Sequence, residues 1–258
     1  MNRFVLIIYV ILPFVGLTQT NEAASWFGSD AAAYNYYQPS GLANQVIQHK
    51  GYSLSYNEAA EQADWVFYKL TSASFSSPVE RTNDYREDTL VAEGSAELSD
   101  YSGSGYDRGH LAPAGSMKSD EESMSHSFFM SNMSPQLPAF NRGVWRRLEE
   151  KVRYWVESYD SVFVTTGPVF DDPLDSIGVN KVIVPRSYYK TLLTFKNEKA
   201  SGIAFIVAHE ESDNSLYSFA TSIDSVEVIT GIDCYSRLDS VVQDRVERNG
   251  SVKGFLYD

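Results

Sequence analysis

Four consecutive residues invite a chemical reading: Asp107-Arg108-Gly109-His110, followed by Leu111-Ala112-Pro113-Ala114. Hydrolysis of a phosphodiester needs a base for the attacking water, a cation for the charge that builds on phosphate, and help for the leaving oxygen. Histidine titrates near neutral pH, which makes His110 the candidate base. Arg108 offers a fixed guanidinium fork suited to phosphate. Gly109 between them permits backbone geometry that other residues resist. The plainer reading is a surface loop with an incidental histidine and an Arg–Asp pair. Four residues alone do not separate the two.

A second group follows downstream: Ser131-Asn132-Met133-Ser134-Pro135-Gln136, Phe140-Asn141-Arg142-Gly143-Val144-Trp145 and Leu148-Glu149-Glu150. Asn141 stands at the start of a predicted helix. It is either an N-cap or an oxygen ligand for Mg²⁺, an ion that keeps several waters and needs few protein oxygens. Glu149 falls about 80° around an ideal helix from Asn141. There it can hold a metal-bound water, orient the base, or serve only as a solvated charge.

These residues need a frame. Val144, Leu148, Val152 and Val156, with Trp145 and Trp155, form an apolar stripe at helical spacing. Strands are predicted at 51–57 and 65–70 as a hairpin, then at 162–166, 182–184, 190–195 and 203–207. Residues 25–45 read as an irregular lead-in and 71–105 as loop. Asp224 with Glu227 suggests a helix start and Gly231 its stop. Few helices, many strands and hairpin-length gaps predict an α+β fold around a mostly antiparallel central sheet with flanking helices.

The chain has 258 residues and a formal net charge of −13. Such acidity argues against a general polyanion binder, but net charge governs solubility and steering rather than the contents of one cleft. Residues 142–153 hold Arg142, Arg146, Arg147, Lys151 and Arg153 against Glu149 and Glu150, a basic island in an acidic chain. It suits a phosphate backbone, and equally the solvent face of an amphipathic helix. The lone Cys234 rules out an intrachain disulfide framework and reads as a small buried hydrophobe. His49, His126 and His209 have no motif around them and read as structural or surface residues.

Arg3 precedes an apolar run from Phe4 to Phe14, a basic n-region and an h-region of export-signal length, too short for a comfortable membrane span. Ala23-Ala24-Ser25 offers a cleavage zone. The expectation is a signal peptide over 1–24, a single domain over 25–258, secreted or periplasmic localisation, and no stable membrane association after processing.

Taken in order, Tyr106 through Ala114, Ser131 through Gln136, Phe140-Asn141 through Leu148-Glu149, and Thr166-Gly167-Pro168 resemble the DNA/RNA non-specific endonucleases. The flanking segments Gly51–Asn57, Tyr85–Asp88 and Ile223–Asp233 also look like family segments, so the resemblance covers roughly residues 45–240. It implies a ββα-metal core, His110 as general base, Asn141 as the direct ligand of Mg²⁺ (or Mn²⁺ or another hard divalent ion), Arg108 and Glu149 in supporting positions, and Asn132 shaping or contacting the site. The family also uses an upstream arginine. Local spacing does not settle between Arg81 and Arg86, with Arg81 the preferred one. The implied activity is cleavage of DNA and RNA through the phosphate backbone, with little sequence preference and with 5′-phosphate and 3′-hydroxyl ends. Dimers occur among relatives, which leaves a homodimer open. The family's basic character is muted here, and the Cys234 position more often looks aromatic in relatives.

Overall fold

The computed structural model describes residues 31–257 apart from Glu198. The apolar N-terminal stretch and its expected cleavage zone lie outside the described residues. A seven-stranded antiparallel sheet runs in the order β1 (Gln45–His49), β2 (Tyr52–Asn57), β3 (Gln62–Leu70), β6 (Ser161–Val169), β9 (Ser187–Lys196), β10 (Lys199–Ala208) and β11 (Ala220–Thr221). Two small ribbons stand apart: β4 (Asp107–His110) with β5 (Met133–Gln136), and β7 (Asp175–Ile177) with β8 (Val182–Val184). The helices are α1 (Ala31–Tyr36), α2 (Leu98–Tyr101), α3 (Glu121–His126), α4 (Pro138–Phe140), α5 (Arg146–Trp155), α6 (Ile223–Thr230), α7 (Ser240–Glu247) and α8 (Val252–Tyr257). The predicted α+β class with an antiparallel sheet and flanking helices is what the molecule adopts.

The period-2 alternation of β9 shows how the sheet feeds two cores. Tyr188 and Leu192 join Val144, Trp145, Leu148, Val152 and Trp155 on one face. Tyr189 and Leu193 join Val226 and Val246 of the α6–α7 layer on the other. Each large apolar side chain buried this way contributes about 1.5–3 kcal/mol before entropy is counted. Strands β3 and β6 are neighbours in the sheet, so residues 71–160 form one excursion between adjacent strands. That excursion carries every residue singled out for chemistry.

Several expectations shift. The 182–184 strand belongs to the small β7–β8 ribbon rather than the main sheet. Strand β1, within the expected irregular lead-in, pairs with β2 as an edge strand. The helix at 223 is capped by Ser222, whose hydroxyl accepts from Ser225 N, so Asp224 lies inside its first turn. Gly231 ends that helix at φ 72°, the left-handed geometry that favours glycine. Cys234 is buried and free, and burial pushes its thiol up.

In the α6–α7 layer, carboxylate oxygens of Asp224, Glu227 and Glu247 lie within 4.8 Å of one another. Burial, reinforced by neighbouring carboxylates, pushes both Glu227 and Glu247 up to about 7. Folding thus tightens their hold on protons. The stability they contribute is complete below the unfolded carboxyl range and lost as pH rises through about 7. We expect Glu247→Gln to stabilise at pH 8 by about 1 kcal/mol, or roughly 2–4 °C in Tm. At pH 5 calorimetry should show little gain, and an equal gain at both pH values would contradict this account.

Candidate active site

The β4–β5 ribbon sets the geometry. Arg108 and His110 alternate with Gly109, so both side chains leave one face of the ribbon. Gly109 is needed for space rather than for an unusual φ: a Cβ there would meet Cδ and Oε1 of the buried Gln136 at 2.2 Å. Two aromatic rings hold the working face. Phe128 meets the His110 ring edge to face at 4.9 Å, and Tyr85 lies 4.3 Å beneath the Arg108 guanidinium. The Arg81 guanidinium packs over Phe128 at 5.0 Å.

Tertiary bonds fix the ribbon against the sheet. The Tyr188 hydroxyl of β9 donates to Pro135 O at 2.7 Å and lies 2.7 Å from the Ser134 hydroxyl, which also donates to Gln62 of β3. Asn132 is fully buried. Its Oδ1 accepts from Ala112 N at 2.8 Å, and its Nδ2 donates to Ala112 O and Ser127 O at 3.0 and 2.8 Å. Its side chain is spent on the turn after His110, which makes it a positioning residue behind the cleft. His49 on Asp88, His126 accepting from Lys50 N, and His209 accepting from Leu137 N at 2.7 Å all serve structure, as expected of them.

The helical segment starts at Pro138, a residue pre-shaped for the first helical position. Asn141 is therefore not its N-cap. From Asn141 to Trp145 the turn widens to the π form, with Gly143 at φ −101°, ψ −112°, outside helical values. Such a turn absorbs one extra residue and is frequent at functional sites. It brings Asn141 and Glu149, about 80° apart on a regular helix, to a shared cleft. The Asn141 amide Nδ2 donates to Asp107 Oδ2 at 2.9 Å. Asp107 is itself gripped by Arg142 at 2.6 and 2.9 Å. That leaves Asn141 Oδ1 oriented and without a hydrogen-bond partner among the described residues.

The cleft has a volume of about 970 Å³. Arg81, Arg108, His110, Asn141, Glu149 and Arg153 all line it, and Arg86 does not. Arg86 instead lies 4.0 Å over Phe129 and pairs with Asp84. The basic island divides. Arg142, Arg146 and Arg153 reach the cleft, while Arg147 donates to Ser212 O and Asn214 O, and Lys151 covers Tyr154 and Trp155.

Electrostatics distinguish the members. His110 Nε2 is buried and has no hydrogen-bond partner among the described residues. Burial, with Arg81 and Arg108 adding, lowers its pKa to about 3, so the ring stays in its base form at neutral pH. Burial raises the Glu149 carboxyl, opposed by Lys190 and Arg153. Lys190, fully buried on β9, donates to Thr166 Oγ1 at 3.0 Å and sits 4.7 Å over Trp145. Its ammonium is lowered by burial and supported by Glu149.

Asp107 as the clamp on Asn141, Arg153 as a cleft residue, and Lys190 as the counter-charge of Glu149 were not singled out from sequence. The visible signals were the aspartate inside the Asp107–His110 motif and a lysine beside the Tyr188-Tyr189 and Leu192-Leu193 pairs of a strand. The donors in the cleft fit a hydrated hard cation. They offer one oriented amide oxygen and the carboxylates of Asp107, Glu149 and Glu150 in a roomy polar space, with no thiolate or histidine cage.

Comparison with known proteins identifies the family. Residues 29–241 match the DNA/RNA non-specific endonuclease family. A nuclease from Syncephalastrum racemosum is 35% identical over 224 residues, covering 77% of this chain and 70% of that protein. A nuclease from Nostoc sp. is 32% identical, covering 79% of this chain and 78% of its own. Human mitochondrial endonuclease G is 33% identical, covering 74% and 69%. A crystal structure of the EndoG/EndoGI complex superposes with TM-score 0.75 at 29% identity, over 83% of this chain and 92% of that one. The chain thus belongs to the DNA/RNA non-specific endonuclease family, a family of nucleases that hydrolyse phosphodiester bonds and imply a divalent metal ion.

Proposed function

We propose that this chain is a Mg²⁺-dependent endonuclease that cuts DNA and RNA with little sequence preference, leaving 5′-phosphate and 3′-hydroxyl ends. The observation that carries the reading is the unpartnered Nε2 of His110, held as a base between Arg81 and Arg108 in the cleft that also holds Asn141 and Glu149.

Arg81 and Arg108 bind the scissile phosphate. Neither is paired with a carboxylate among the described residues. The anion offsets their charge, and that raises the basicity of His110 when substrate arrives. His110 Nε2 then takes a proton from the attacking water as the bond from phosphorus to the 3′-oxygen breaks. Asn141 Oδ1 would hold the cation, with Glu149 nearby to orient its waters. Once bound, the ion supplies positive charge against the phosphate oxygens and the leaving oxygen. No residue needs a 2′-hydroxyl, and contacts limited to backbone phosphate carry little sequence information.

The test is end-group analysis on matched DNA and RNA oligonucleotides digested with Mg²⁺ present. Both should be cut, and the fragments should accept ligation through 5′-phosphates. Fragments with 3′-phosphates, or cutting of RNA alone, would overturn the assignment. We also infer export, supported by the basic and apolar start of the chain. Mass spectrometry of the mature protein should find the first ~24 residues removed, and an intact N-terminus would refute it.

A further inference from the structure

The main cleft does not end at Arg153. Beyond it a second hollow of about 440 Å³ opens, lined by Ser72, Phe75, Arg153, Tyr154, Val156 and Glu157. Arg153 lines both spaces. Its Nη1 is buried without a hydrogen-bond partner, a donor whose desolvation calls for an acceptor. Two of the residues that line the hollow, Phe75 and Tyr154, are aromatic. Tyr154 is 57% exposed although α5 could have turned a polar residue outward there. Lys151 Nζ lies 4.6 Å from its ring centroid, which keeps positive charge beside the aromatic face. Phe75, half-buried, lines the same hollow.

A polymer whose scissile phosphate sits at His110 must carry its neighbouring nucleotides out along the cleft walls. Arg153 is placed to take an adjacent phosphate. The space just past it holds aromatic rings together with the Glu157 carboxylate. A carboxylate repels a second phosphate and accepts hydrogen bonds from exocyclic amino groups. The contents therefore suit a base rather than more backbone.

We propose that this hollow is a nucleobase subsite, in which one unpaired base beside the scissile phosphate stacks on Tyr154 and Phe75 while its phosphate meets Arg153. The proposal rests on the nuclease reading of the cleft. A base held inside a duplex cannot reach such a wall, so the subsite favours single-stranded substrate.

The test measures fluorescence anisotropy in EDTA, which allows binding without turnover. The probes are a fluorescein-labelled single strand of about 12 nucleotides and a blunt duplex of the same sequence. One base–aromatic stack corresponds to roughly a tenfold change in affinity. Tyr154→Ala should weaken single-strand binding about tenfold and duplex binding far less, and Tyr154→Phe should restore it. Because Tyr154 is exposed, its truncation spares the core. Equal weakening on strand and duplex, or no weakening on either, would overturn the subsite. Failure of the wild type to cut either probe with Mg²⁺ would instead refute the nuclease reading and the subsite with it.

Discussion

His110→Ala should cut supercoiled DNA about 10²- to 10⁴-fold more slowly than the wild type, the usual cost of removing a general base. The loss should fall on kcat, because Arg81 and Arg108 still bind the phosphate. Folding should survive, since the ring packs on Phe128 and Tyr85 and its Nε2 makes no hydrogen bond among the described residues. The pH profile gives a second readout. His110 is held down to about 3 by burial and by the two arginines, so it does not set the acid limb of the free enzyme. Glu149, raised by burial, does. Activity of the wild type should therefore fall on acidification through a point above the ordinary carboxylate range. A wild-type limb that persists in Glu149→Gln but is abolished in His110→Ala would invert the two roles.

Asn141→Ala should act through the metal. It deletes the one amide oxygen that Asp107 orients toward the cleft. Loss of a metal ligand or its orienting partner typically costs 10- to 100-fold in metal affinity or activity. The Mg²⁺ titration should shift to higher concentration by about that factor, with part of the rate recovered at saturating ion. Asp107→Asn should shift the same titration less, because it only loosens the clamp. An unchanged titration in Asn141→Ala would remove it as the ligand.

Much of this was legible in the chain itself. Strands with alternating apolar residues, and a helix with an apolar stripe, announce themselves through periodicity, and β2, β3, β6, β9, β10 and α5 fell where they were expected. What the pattern could not give was local. The π turn at Asn141–Trp145 depends on Gly143 and on how Asp107 grips Asn141 and Arg142, contacts between residues far apart in sequence. An N-cap reading of Asn141 therefore looked reasonable. Gly109 was expected to serve through its φ, yet the constraint is the Gln136 side chain opposite it, visible only once β4 and β5 pair. Asn132 looked like a site residue because it sits in the motif, but its three hydrogen bonds all go to backbone. Arg81 and Arg86 were indistinguishable by spacing. The Phe128 and Phe129 rings each lie beneath one guanidinium, and of the two arginines Arg81 lines the cleft. Net charge misled in the same way: the chain is acidic at −13 overall, yet five arginines converge on the cleft.

The most direct measurement is incubation of the purified wild-type protein with supercoiled plasmid in Mg²⁺, with and without EDTA. Nicked and then linear DNA should appear with Mg²⁺ and vanish with the chelator. Intact plasmid under both conditions, or cutting that ignores the chelator, would contradict the account.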